Sequence, residues 1–220
     1  MADNYLEKKF EEMRSGKKKK SAAKKMHISI DSLLLKNRSC RGYDSNYKVS
    51  DNELINIINA NTKIPSARNQ QVLRFKIVTK SNTQTSGDAD FIARNIKLAG
   101  ALPELRLPFK GTEPNAYIIV YSTVPESKWV YVDLGISAQS MLLKAVDMGL
   151  NGICIGAFNK EAISDYFKVA ENLVPLMVIA IGKGIENFQL LPISERENHD
   201  YFRENGVHFV PKVKLSDLII

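Results

Sequence analysis

The chain has 220 residues, of which 44% are hydrophobic, and a length and apolar share of this order suit one α/β domain around a single core. Its two cysteines, Cys40 and Cys154, lie far apart in no paired spacing, which excludes a disulfide framework and a thiolate metal centre and fits a reducing, cytoplasmic setting. The formal net charge of +7 is concentrated in residues 1–25, where nine Lys or Arg face four Asp or Glu for a net of +5, so the remainder carries only +2.

Residues 1–27 read as a basic, polar leader, helical or disordered, ahead of a single domain over 28–220. Lys17 to Lys20, with Lys24 and Lys25, can touch polyanions non-specifically. No aromatic residue interleaves with the run, so it lacks the stacking platform of a single-strand binder, and no specific nucleic-acid partner is expected. The leader has no apolar centre, and the longest uncharged apolar stretch, residues 173–182, is about half of the roughly 20 residues that a membrane helix needs. Neither a signal peptide nor a membrane is expected.

A short helix is predicted over 29–36, followed by the turn Asn-Arg-Ser-Cys-Arg-Gly-Tyr at 37–43, where Gly42 suits the bend. Ser50 and Glu53 have capping-box spacing, and Leu54, Ile55, Ile57 and Ile58 supply an apolar face, so a helix is predicted over 51–61, ended by Pro65. Strands follow at 72–79 and 116–123. They are separated by about 35 residues with a helix over 88–98 and a loop containing Pro103, Pro108 and Pro114. A long helix over 131–149 carries Leu134, Ala138, Met141, Leu142 and Ala145 at helical spacing and stops at Gly149. A short strand at 152–155, a helix over 160–167 capped by Asn159 and an uncharged strand at 175–182 complete the order. Helices interleaved with buried strands imply an α/β (α+β) fold, a mixed sheet flanked by helices.

Several segments could carry chemistry. Arg38, Ser39 and Arg41 place two permanent cations and a hydroxyl within one turn, open to two readings: solvated surface charges or a phosphate clamp. The Pro-Ser-Ala-Arg-Asn-Gln-Gln segment at 65–71 is dense in amides and hydroxyls just before a buried strand. It reads either as a polar turn or as a source of the mixed donors and acceptors, such as Asn69 and Gln71, that a flavin or nucleobase edge requires. At 151–158 the small residues at a strand end, Gly156 and Ala157 among them, form a plain turn or let backbone N–H groups approach a ligand closely.

Other signatures fail. Gly182 and Gly184 begin a dinucleotide fingerprint, but Asn187 stands where its third glycine belongs. There is no P-loop and no nucleophile elbow, and His27, His199 and His208 are too scattered for a metal cluster, so each is expected to be structural or exposed.

In their order, these pieces resemble the FMN-dependent nitroreductase family from about residue 28 to 219, most specifically in the 38–41 and 65–71 segments. The resemblance implies a nitroreductase-like fold with a mainly antiparallel central sheet and FMN as cofactor. It assigns Arg38, Ser39 and Arg41 to the FMN phosphate and ribityl chain, with Asn37 where the family usually has another Arg. It also implies that Pro65, Ser66, Ala67, Asn69 and Gln71 approach the flavin of a second subunit, making the chain a homodimer with FMN at the interface. Backbone N–H groups of Gly156 and Ala157 would face the hydride-accepting nitrogen of the ring. Lys212 and Lys214 match the terminal basic pair, a lysine replacing the more typical arginine at the second position. Arg106 or Lys110 would stand in for the basic residue near the ring edge.

The implied activity is ping-pong electron transfer from NAD(P)H through the flavin to a small acceptor such as a nitroaromatic or quinone, with no side-chain acid or base named. Dehalogenation, ene reduction and non-catalytic flavin binding are the alternatives.

Overall fold

The computed structural model describes residues 28–82, 84, 86–98 and 107–220. The leader, Pro103 and Arg106 lie outside the described residues. Five helices are described, α1 (Ile30–Lys36), α2 (Asp51–Ile58), α3 (Ser86–Arg94), α4 (Lys128–Asp147) and α5 (Lys160–Tyr166). Seven strands run β1 (Leu73–Thr79), β2 (Ala116–Ser122), β3 (Asn151–Ile155), β4 (Val174–Gly182), β5 (Asn187–Ile193), β6 (Phe202–Glu204) and β7 (Val207–Val213).

The first four strands form one sheet in the order β1-β2-β4-β3, and every pairing in it is antiparallel. Strand β2 is buried throughout, and its residues alternate between two cores. Ile118 and Val120 face one cluster with Leu54, Ile57, Leu134 and Met141, while Tyr117, Ile119 and Tyr121 face another with Ala89, Ile92 and Ile163. Strand β4 divides in the same way, with Ile179 and Ile181 on the α4 side and Val178 and Ala180 on the other. Burial on both faces explains why these strands read as continuous apolar runs rather than as polar-apolar alternation.

Local signals place most helices. The Ser50–Glu53 capping box forms in full, Ser29 caps α1, and Asn159 caps α5 by accepting the Ala162 N–H. The long helix begins three residues before its expected start because Ser127 caps it and the exposed Trp129 and Tyr131 obscure the apolar period. Helix α2 gives way after Ile58 to a short 3-10 turn, Asn59–Thr62, and α3 ends at Arg94 rather than at residue 98.

The sequence reading did not foresee the second sheet, with order β5-β7-β6, in which β5 and β7 run parallel. Its strands contain Pro192 and Pro211 and mix polar with apolar residues, so the pattern is weak without the non-local pairing. Among the described residues no helix is long and apolar enough to cross a membrane.

Candidate functional site

The 37–43 turn is bound to the end of the main sheet from both sides. Ser39 bridges Gly152 on β3, the Cys40 N–H donates to the Gly152 carbonyl at 3.1 Å, and Tyr43 bridges Gly184 beyond β4. Tyr43 is fully buried, its hydroxyl donates to the Cys40 carbonyl at 2.6 Å, and its ring fills the space that a side chain at Gly182 would need. Burial and the nearby Glu186 carboxylate push the Cys40 thiol up to about 12, so the cysteine inside the turn is an inert packing residue.

This anchoring leaves Arg38, Ser39 and Arg41 on the wall of a pocket of about 410 Å³, and Lys212 of β7 joins them from the second sheet. Arg41 is buried, yet its Nε has no hydrogen-bond partner, and the same holds for Nε of Arg38. Two orphaned guanidinium donors beside a lysine constitute an unmet demand for an anion, because a buried donor without a partner costs about 1–3 kcal/mol. Desolvation lowers the Arg38 pKa from its ordinary value, a cost that a bound anion would relieve. The donor set therefore fits a phosphate. Asn37 lines the same pocket and donates through Nδ2 to Gln139 Oε1 at 3.2 Å.

A different cleft, of about 790 Å³, is lined by Pro65, Ser66 and Gln71. The loop here is held tightly. The Ala67 N–H donates to Oδ1 of the buried Asp133 at 2.8 Å, and the Gln71 N–H donates to Ser66 Oγ at 3.2 Å. Arg68, Asn69 and Gln71 all have φ between 50 and 55°, a left-handed conformation that costs a residue with a side chain roughly 1–2 kcal/mol. Such strain persists only where the surroundings enforce it, and it concentrates at functional sites. Asn69 is exposed, with its Oδ1 accepting from Gln71 Nε2 at 3.1 Å.

Gly156 and Ala157 lie exposed just beyond β3, two and three residues after Cys154, which lines the same pocket as Arg38 and Arg41. A methyl group built on Gly156 would meet nothing within 4 Å. Lys214 does not line that pocket. It is exposed ahead of the final 3-10 turn, its N–H donating to the Ile193 carbonyl at 2.9 Å. Lys110 is also exposed.

The sequence reading missed Phe188, Tyr201 and His208, which line the pocket beside Arg41. Its expectation for His208 holds only in part, since the residue is buried but faces the pocket; His199 is exposed, and His27 lies outside the described residues. The one available signal was the i, i+2, i+4 spacing of His208, Val210 and Lys212, which puts all three on one face of a strand. Among the described residues no group of His, Cys, Asp or Glu could hold a metal ion.

Comparison with known proteins gives the family and the fold. YodC of Bacillus subtilis, which carries the provisional name NAD(P)H nitroreductase, is 24% identical over 67% of this chain and 86% of its own length. A nitroreductase-type protein from Exiguobacterium sibiricum, solved in complex with FMN, superposes with a TM-score of 0.58 at 20% identity, covering 73% of this chain and 90% of that one. A nitroreductase family protein from Clostridium novyi gives the same score at 20% identity over 71% and 86%. The family profile described as "Nitroreductase family" matches residues 34–183, and the chain belongs to that family.

Proposed function

We propose that this chain is an FMN-dependent oxidoreductase that passes electrons from NAD(P)H to a small oxidised acceptor, such as a nitroaromatic or a quinone, by a ping-pong sequence. The observation that carries the reading is the convergence of Arg38, Arg41 and Lys212 on one pocket, with two guanidinium Nε donors unpartnered. Family membership supports FMN as the cofactor, and its phosphate is the anion that this donor set suits.

When bound, the flavin supplies the redox chemistry, accepting a hydride from the nicotinamide and delivering two electrons to the acceptor. The chain's own residues position it. Arg38, Ser39, Arg41 and Lys212 hold the phosphate, with Lys214 close behind in sequence, and the exposed backbone at Gly156 and Ala157 offers N–H groups to the ring.

Within one chain the 65–71 loop lines a different cleft from the phosphate site, which supports a homodimer in which Pro65, Ser66, Ala67, Asn69 and Gln71 meet the partner's flavin. Exposed apolar residues on α1, Ile30, Leu34 and Leu35, and at the C-terminus, Leu218 and Ile219, offer further surface to such a partner. A cytoplasmic enzyme with access to reduced nicotinamides is the setting that suits this activity.

The test is spectroscopic. After reconstitution with FMN, the flavin band should bleach when NADH or NADPH is added without oxygen and should return when a quinone is supplied. A bound flavin that stays oxidised with both nicotinamides would contradict the proposed reaction.

A further inference from the structure

His208 and Arg41 are joined by a closed set of contacts that neither the sequence motifs nor the family assignment accounts for. Glu186, with only 7% of its side chain exposed, accepts the Arg41 backbone N–H through Oε2 and pairs with the Arg203 guanidinium through Oε1. Arg203 in turn donates from Nε to His208 Nδ1 at 3.1 Å. The ring of His208 stacks on Tyr201 at 5.1 Å, and the Arg41 guanidinium lies 4.9 Å from the centre of the other ring of that pair, with Nη2 3.3 Å from the Tyr201 hydroxyl. The second sheet sets this arrangement, because Arg203 of β6 and Phe188 of β5 are the register partners of His208 on β7.

A guanidinium N–H can only donate, so Nδ1 of His208 must be the acceptor and carries no proton. The proton of the neutral ring then sits on Nε2. Burial, followed by the charges of Arg203 and Arg41, holds the ring well below its ordinary pKa and so in this neutral form. Among the described residues Nε2 makes no hydrogen bond to the protein, and the ring, 3% exposed, lines the same pocket as Arg38, Arg41 and Lys212.

We infer that His208 is a further phosphate-binding residue of this pocket, presenting a fixed Nε2–H to the anion, with Arg203 as the positioning residue that sets its tautomer. The inference rests on the reading of the pocket as the FMN phosphate site. A histidine so placed adds a directional donor without the desolvation cost of another buried cation beside Arg41. It also gives the second sheet a task, since β5 to β7 deliver His208 and Lys212 to a clamp begun by the 38–41 turn.

The test compares FMN with riboflavin, which lacks the phosphate, by flavin-fluorescence quenching in the full chain. His208→Phe should weaken FMN about tenfold or more while leaving riboflavin unchanged, and His208→Gln, whose amide can donate, should recover most of the loss. Equal weakening of both flavins, or no weakening of FMN, would reduce His208 to a packing residue. A wild-type chain that binds FMN no more tightly than riboflavin would instead overturn the phosphate site itself, and this inference with it. Nitrogen-15 NMR of the wild-type imidazole needs no variant. The account expects Nε2 protonated at neutral pH and its signal displaced by inorganic phosphate, and a proton on Nδ1 would overturn it.

Discussion

The Asp133 carboxylate accepts the Ala67 backbone N–H at 2.8 Å, tying the second turn of the long helix to the loop that precedes β1. Asp133 is buried, and the loop it holds contains three residues in the left-handed conformation. Replacing it with Ala removes the acceptor, leaves the Ala67 N–H wanting, and frees a strained segment to relax. We predict that Asp133→Ala destabilises the fold by about 1.5–3 kcal/mol in urea denaturation and speeds hydrogen exchange at Ala67, whereas Asp133→Asn, which keeps an acceptor oxygen, costs less. Unchanged exchange at Ala67 in the Ala variant would show that the contact does not restrain the loop.

Gly152 marks where the 37–43 turn meets the sheet. A methyl group there would lie 2.6 Å from Leu142 Cδ2, 2.7 Å from Ile181 Cδ1 and 2.8 Å from the Ala180 carbonyl oxygen. Side chains can rotate away, but the carbonyl belongs to the central strand β4 and cannot yield without disturbing its pairing with β3. Gly152→Ala should therefore cost roughly 1–3 kcal/mol of stability and lower FMN affinity, because Ser39 and Cys40 are docked on this residue. A variant with wild-type unfolding and wild-type FMN binding would refute this role for Gly152.

Acid should weaken the fold through His208. Burial, then the Arg203 and Arg41 charges, lowers its pKa to about 4 in the folded chain, against the opposing pull of Glu186, while the unfolded chain keeps an ordinary value near 6.5. Between these values the unfolded state binds the proton first, so this contribution is complete above about pH 6.5 and is lost as the pH falls towards 4. Its slope is at most about 1.4 kcal/mol per pH unit. Denaturation midpoints measured from pH 7.5 to 4.5 should fall less steeply in His208→Gln than in the wild type. Equal slopes would mean that His208 is not held neutral by the fold.

Much of this architecture is written in local sequence, and its limits are physical. The Ser50–Glu53 and Asn159 caps and the apolar runs of β2 and β4 act within a few residues of themselves, so they are readable without the fold. Arg38, Ser39, Arg41 and Lys212 were identifiable as a set only through family resemblance. What brings them together is the docking of the 37–43 turn on Gly152 and of β7 on β5, two contacts that join distant parts of the chain. Tyr201 and His208 were illegible for the same reason. Their neighbours mix polar and apolar residues, and their place beside Arg41 depends on the parallel register Phe188 to His208 together with the Glu186–Arg203 pair.

The proposed phosphate pocket carries the functional account, and Arg41 is its most deeply placed cation. Equilibrium titration of FMN into the wild type and Arg41→Ala, followed by flavin fluorescence, examines it most directly. The account predicts a loss of about 1.5–3 kcal/mol, or roughly 10- to 150-fold in Kd, as expected for a charge-assisted contact. An Arg41→Ala protein that folds and binds FMN as tightly as the wild type would contradict it, and the phosphate would have to be held elsewhere.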